Sequence, residues 1–412
     1  MPLIRPFTGL RPLPDNAKDV VAPPYDVLNT EEARERATGK PYSFLHISKP
    51  EIDLPVDTDP YDTSVYEKGA ENLNHLVDKG ILKQDAQPCY YLYNLVMGEH
   101  SQTGLVAVAN VGDYDTNRIR KHEYTRPVKE DDRVRQIDVL NAQTGPVFLT
   151  YKHNAIINEL VEKLTQQTPV YDVTADDGVK HKLWVVDQAT DIETITQTFD
   201  VMDNLYIADG HHRSAAASRV AAQRKTANAN HTGEESYNYF LSVIFPDNQM
   251  KILDYNRVIT DLNGLSEADF LAQVKTSFDV EASDNPVKPQ KNAEFGMYLG
   301  GKWYKLTLHS DKMKTDPVAR LDVSLLADNL IAPILNITDP RKDKRIDFVG
   351  GIRGLQELEK RVNSGEMQVA FALYPTSLAE LMAVADSEQV MPPKSTWFEP
   401  KLADGLVSHV LD

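Results

Sequence analysis

Apolar positions recur along this chain in two rhythms. Helical spacing appears from Tyr66 to Lys79 through Leu73, Leu76 and Val77, and from Asn154 to Gln166 through Ile156, Ile157, Leu160, Val161 and Leu164. Lys129 to Leu140 repeats it with Val134, Ile137 and Leu140, and Ser266 to Ser277, Leu321 to Leu335 and Ser377 to Ala385 also read as helices. Strands are predicted at Pro88–Val96 and Gly104–Val111 around a turn at Gly98-Glu99-His100-Ser101, and at Pro146–Tyr151. Pro169–Thr174 and Lys182–Asp187 pair around Asp176-Asp177-Gly178, and Phe295–Leu299 pairs with Lys302–Leu308 around Gly300-Gly301. Tyr239–Phe245 and Lys251–Val258 read as a further hairpin around Pro246-Asp247-Asn248, Phe278 to Gln290 as a loop, and Ile346–Val349 and Val369–Tyr374 as strands. Thr190 and Glu193 form a Thr-x-x-Glu capping box for a helix running to Phe199. The fold class is therefore mixed α/β. Three regions are expected: 1–150, contributing to the site, 151–262, holding the central motif, and 263–412.

That motif is Leu205-Tyr206-Ile207-Ala208-Asp209-Gly210-His211-His212-Arg213-Ser214, followed by three alanines. It predicts a buried strand over Leu205–Ala208, a tight turn, and a helix from Ser214 onward. Such a junction aims backbone N–H groups at whatever lies before the helix; Gly210 permits close approach and His211, His212 and Arg213 supply positive charge, which together outline a phosphate site. The bland alternative has Asp209 capping the helix, the histidines on a solvated turn and Arg213 paired with a carboxylate. A second concentration of basic groups, Arg118 to Pro127, would suit a polyphosphate, with Glu123 as its lone carboxylate; the same residues would also make an exposed, charge-paired loop. Tyr25 and Asp26 follow two prolines that would hold them rigidly, although Asp26 would equally cap a helix beginning near Thr30. Lys394, Ser395 and Thr396 offer a cation and two hydroxyls beside prolines, fit for phosphate or for knitting an interface. Gly350-Gly351-Ile352-Arg353-Gly354 lacks the Gly-Lys-Ser/Thr ending of a P-loop.

The Asp-Gly-His-His-Arg loop, with Pro23-Pro24-Tyr25-Asp26-Val27, His122-Glu123, Thr125, Asp132-Arg133 and Met391-Pro392-Pro393-Lys394-Ser395-Thr396-Trp397-Phe398-Glu399-Pro400-Lys401, resembles a bacterial and archaeal family known as a domain of unknown function. The loop alone is similar to that of free-serine kinases of the ParB/sulfiredoxin-like superfamily. The resemblance implies a ParB/sulfiredoxin-like core flanked by further α/β regions, and a site on which residues 23–27, 122–126 and 391–401 converge. It implies Asp209, His211 and Glu123 as catalytic residues, and Gly210, His212, Arg213, Ser214, His122, Arg126, Lys394, Ser395 and Thr396 as nucleotide-binding ones. ATP or ADP would be the cofactor, with Mg²⁺ held by Asp209.

Charge and cysteine usage narrow the partners. With 61 acidic against 44 basic residues the net charge is −17, which argues against general binding to nucleic acid or an anionic membrane. Cys89 is the single cysteine, so neither an intrachain disulfide nor a thiolate-rich metal site is possible, and a reducing cytoplasm is expected. The N-terminal residues lack a secretory pattern, and no run of about eighteen apolar residues occurs. Oligomeric state leaves no mark on the sequence. Two functions compete: a nucleotide-dependent phosphotransferase acting on a small hydroxyl compound, with free serine the acceptor implied by the resemblance, and a nucleotide-responsive binding protein that transfers nothing. A metal-dependent hydrolase using His211 and His212 ranks below both, because adjacent histidines rarely point at one metal.

Overall fold

A computed structural model describes residues 1–412. The chain divides into two compact units, one comprising 1–250 with 400–412, the other 251–399. The first is built on a nine-stranded sheet. In chain order its strands are Ile4–Arg5 (β1), Tyr90–Met97 (β2), His100–Asn110 (β3), Ile119–Arg120 (β4), Val147–Tyr151 (β5), Tyr171–Thr174 (β6), Lys180–Val186 (β7), Leu205–Asp209 (β8) and Tyr239–Pro246 (β9). Their spatial order is β4-β8-β5-β9-β3-β2-β7-β6, and β1 pairs with β3 beyond the reach of β2. The sheet is mixed: β4 runs parallel to β8 and β5 parallel to β9, while β8 against β5 and β9 against β3 are antiparallel. Strands from both sides of residue 150 interleave in it, so no domain boundary falls there, and the region expected to end at 262 ends at 250.

The central strands β5 and β9 are buried along their whole length, and a strand closed on both faces reads as a continuous apolar run. Two helices pack beside them and against each other, Pro127–Leu140 (α1) and His211–Ala227 (α2). Val134 and Ile137 of α1 and Ala216, Ala217, Val220 and Ala221 of α2 join one core with Val147, Leu149, Leu205, Ile207 and Phe240. The small residues of α2 let its backbone lie close to the sheet, which places its first turn at the end of β8.

The second unit holds a six-stranded antiparallel sheet of Tyr255–Ile259 (β10), Phe278–Ser283 (β11), Glu294–Leu299 (β12), Lys302–Leu308 (β13), Ile346–Gly350 (β14) and Val369–Leu373 (β15), in the order β11-β13-β12-β15-β10-β14. Three local expectations fail. The hairpin expected of Tyr239–Phe245 and Lys251–Val258 does not form: both segments carry fully buried strands with neighbours in different sheets, and the turn at Asp247–Gln249 redirects the chain instead. Phe278–Ser283, expected as loop, is an edge strand, with Phe278 buried and Asp279 and Glu281 on the outer side where charge blunts an open edge. Thr190 caps nothing, because its helix begins at Ala189 with Gln188 in the N-cap position. No helix is long and apolar enough to cross a membrane.

Candidate functional site

The end of β8 is irregular in a way that aims one side chain. Ile207 pairs with Leu149 and Asp209 with Phe148, two residues on one strand against one on the other, which is a bulge at Ala208. Gly210 then adopts φ +97°, a conformation that a side chain disfavours, and an added Cβ would lie 3.3 Å from the Val147 Cα. Helix α2 begins at His211, three residues earlier than expected, and runs 17 residues without a side-chain cap at its N-terminus. Its first-turn N–H groups and the positive end of its dipole therefore face the junction.

Asp209 stands at the strand end. One carboxylate oxygen, Oδ1, accepts the Gly210 N–H at 2.8 Å; the other, Oδ2, accepts from Lys401 Nζ at 2.9 Å. Burial opposes ionisation, but Lys401 and Arg213 outweigh it and hold the carboxyl well below the ordinary range. Arg213 is anchored: its guanidinium donates to the Pro146 carbonyl and lies 3.7 Å from Asp26 Oδ2. Burial works against its charge, yet Asp26, Tyr25, Asp209 and Asp404 raise its pKa overall.

The histidines serve differently from the expectation that they supply positive charge. His211 is buried; its Nε2 accepts the His122 backbone N–H at 3.4 Å and its Nδ1 lies 3.8 Å from Glu123 Oε2. Burial and the neighbouring His122 push its pKa well down, so the ring is neutral, with its proton on Nδ1 facing Glu123. His122 is buried edge-on to it with ring centroids 4.5 Å apart, and burial lowers its pKa to about 4. His212 Nε2 accepts the Arg126 backbone N–H at 3.0 Å, and burial lowers its pKa as well. Both loop histidines thus hold the 122–126 backbone against α2, and the fixed positive charge resides on Lys401 and Arg213. Ser214 is fully buried with its hydroxyl on the Gly210 and His211 carbonyls, which makes it part of the helix's own first turn.

Segments 23–27 and 122–126 reach the loop through these contacts. Of 391–401, Lys401 belongs to the unit that contains the loop and pairs with Asp209. Lys394, Ser395 and Thr396 belong to the other unit, where the Lys394 ammonium sits 5.6 Å from the Tyr255 ring centre and the Ser395 hydroxyl donates to the Pro392 carbonyl. Asp26 caps no helix, since Asn29 and Glu32 make the capping box there. Lys401 is the residue that pattern reading passed over; its signal was its place at the end of the proline-flanked segment. Asp404 was missed too: three residues further on, buried, it bears on both Arg213 and Arg133. Each Asp209 oxygen already accepts one hydrogen bond, from an ammonium or an amide N–H, and no group of three His, Cys, Asp or Glu is placed to hold an ion, so Mg²⁺ at Asp209 would depend on the phosphates of a bound nucleotide for its other ligands.

No curated protein matches the chain. Solved structures align over 73% of it at low similarity: a free serine kinase in complex with AMP (13% identity, 92% of that chain, TM-score 0.35), a conserved hypothetical protein from Pyrococcus furiosus (14%, 94%, 0.35) and a C-terminally truncated SbnI from Staphylococcus aureus (10%, 86%, 0.38). The model of the family described as "protein of unknown function (DUF1015)" matches residues 4–324, more than half of the chain, and the chain belongs to that family.

Proposed function

We propose that the junction of β8 and α2 binds the phosphates of a nucleotide, ATP or ADP, and transfers a phosphoryl group to a small hydroxyl compound. The observation that carries this reading is the convergence of Lys401 and Arg213 on Asp209, beside a glycine in the left-handed region and an uncapped helix N-terminus. Phosphoryl transfer needs fixed positive charge around the transferring oxygens and a carboxylate to orient the acceptor. In the reaction the acceptor oxygen bonds to the terminal phosphorus, the anhydride P–O bond breaks, and the hydroxyl proton leaves. Asp209, kept ionised by its neighbours, is suited to accept a hydrogen bond from that hydroxyl. Glu123, half exposed and beside His211 Nδ1, is suited to take the proton. No step is assigned to a metal ion. Free serine is the acceptor that the loop's resemblance suggests.

A nucleotide-responsive binding protein is the second reading. It is favoured by the engagement of both Asp209 oxygens, so that an acceptor hydroxyl would have to share that carboxylate with the Gly210 N–H and the Lys401 ammonium. The two are separated by measuring nucleotide affinity, melting temperature and phosphate transfer to serine and related hydroxyl compounds. Asp209→Asn is expected to fold and to abolish transfer. Arg213→Ala is expected to weaken nucleotide binding by about 1.5–3 kcal/mol, tenfold or more, with some loss of stability from the vacated Pro146 carbonyl. Wild-type protein that binds nucleotide but transfers to no acceptor establishes the second reading; wild-type protein that binds none refutes both.

A further inference from the structure

Behind Arg213 lies a cavity of about 30 Å³, lined among others by Tyr25, Ser48, Arg133, Gly145, Arg213 and Asp404. Two of its polar atoms are anomalous. Asp404 Oδ1 and Ser48 Oγ are buried without a hydrogen-bond partner, although their residues are only 2% and 5% exposed. A buried carboxylate oxygen with nothing bonded to it costs free energy unless a donor is supplied from elsewhere.

The surrounding charge identifies the kind of donor that is missing. Four carboxylates, Asp26, Asp132, Asp209 and Asp404, face three cations, Arg133, Arg213 and Lys401. Arg133 is committed to Asp132, with its guanidinium 4.0 Å from the Tyr25 ring centre; Arg213 is shared between Asp26 and the Pro146 carbonyl; Lys401 belongs to Asp209. Asp404 receives only the Tyr25 backbone amide. The cluster is one positive charge short, and the shortfall lies at Asp404. Burial accordingly pushes the Asp404 carboxyl up to about 7, where a cationic partner would restore full ionisation.

We propose that this cavity seats a primary ammonium group, bonded to Asp404 Oδ1 and within reach of Ser48 Oγ, and that the molecule bearing it is the small hydroxyl acceptor. The volume suits one ammonium or one water and no larger group. The rest of such a molecule would extend toward Arg213, which lines the cavity and also bears on Asp209. Asp404 is then a specificity-determining residue that selects an amino alcohol over a plain alcohol. The assignment of the bound amine as acceptor rests on the phosphotransferase reading; the ammonium seat itself does not.

Gly145 offers a test that leaves every charge in place. A Cβ there would meet Arg213 Cδ at 3.4 Å and Asp404 Oδ1 at 3.6 Å, ordinary contacts, so Gly145→Ala fills the cavity without a clash. Melting of the full chain is followed with ethanolamine, with ethylene glycol, and with potassium chloride at the same ionic strength. Ethanolamine alone is expected to raise the melting temperature of the wild type, and its apparent affinity is expected to fall at least about tenfold in both Gly145→Ala and Asp404→Asn. Equal shifts with ethylene glycol or potassium chloride, no shift with ethanolamine, or an undiminished shift in Gly145→Ala would each overturn the proposal. If Asp404→Asn does not fold, Gly145→Ala decides alone. Melts with ATP and ADP report separately on the nucleotide reading, so either failure is recognised for what it is.

Discussion

Replacing Lys401 with methionine removes the ammonium that holds Asp209 while keeping most of the apolar stem. At 2.9 Å the pair would be worth about 6 kcal/mol for an effective dielectric constant near 20, a ceiling that solvent lowers because the side chains are 25% and 33% exposed. A charged hydrogen bond in such a setting contributes about 1.5–3 kcal/mol. The assay is a double-mutant cycle of Lys401→Met and Asp209→Asn, with stability read by hydrogen exchange across residues 205–227 in increasing urea. Lys401→Met should cost about 1.5–3 kcal/mol in the wild-type background and less than about 0.5 kcal/mol beside Asp209→Asn. Because the Asp209 pKa is depressed in the folded state, its contribution is fully present above the unfolded value near 4 and is lost as pH falls toward the folded one, so the coupling should shrink in acid. Equal costs of Lys401→Met in the two backgrounds would refute the ion pair as the organiser of this junction and leave packing as the cause.

Other consequences are independent of that pair. In the second unit Asp322 is buried, its Oδ2 lacks a partner, and burial together with Glu380 raises its pKa to about 7. Its folded form keeps a proton that the unfolded chain releases, so stability should fall by up to about 4 kcal/mol between pH 4 and 7, and Asp322→Asn should flatten that slope in calorimetry; an unchanged slope counts against the assignment. In the first unit burial lowers His122, His181 and His409 to about 4, so each must gain a proton on unfolding below pH 6.5. Hydrogen exchange of that unit should accelerate as pH is lowered from 6.5 to 4, after correction for intrinsic rates, and His181→Gln should weaken the response. Gly210→Ala should destabilise by about 1–2 kcal/mol through its positive φ and the Val147 contact, and should weaken nucleotide binding more than Gly178→Ala, whose added Cβ meets nothing within 4 Å.

Strands bordered by turn residues were legible because their periodicity is local: the hairpins at 90–110, 171–186 and 294–308 lie close to where alternation and glycine placed them. The destination of a fully buried strand is not local. Nothing in Tyr239–Pro246 distinguishes a strand pairing with its sequence neighbour from one inserted between β5 and β3, since both read as an unbroken apolar run. The same limit produced the boundary at 150, where adjacent segments turn out to share one sheet.

At the candidate site the residue types were legible and their protonation was not. Histidine beside arginine in a helix-opening loop reads as a cationic grip, yet each ring here accepts a backbone N–H from 122–126 through Nε2, and an imidazole that accepts at one nitrogen is not protonated there and so carries no charge. The partner of His211 lies 89 residues away in the chain and that of His212 lies 86 away, so no spacing within the loop reveals either bond. Lys401 escaped for a related reason. In Lys394-Ser395-Thr396 the cation and hydroxyls cluster and draw the eye, whereas the chain passes from one compact unit to the other between Glu399 and Pro400, and only the last lysine of the segment falls on the side that holds Asp209. A charge's role is set by which core its backbone joins, and that follows from the pairing of Ala22 with Asp404 across nearly the whole chain. That bridge is also what carries Asp404 to Arg213, so the cation that grips Asp209 and the carboxylate that lacks a partner are positioned by the same few residues of the C-terminal segment.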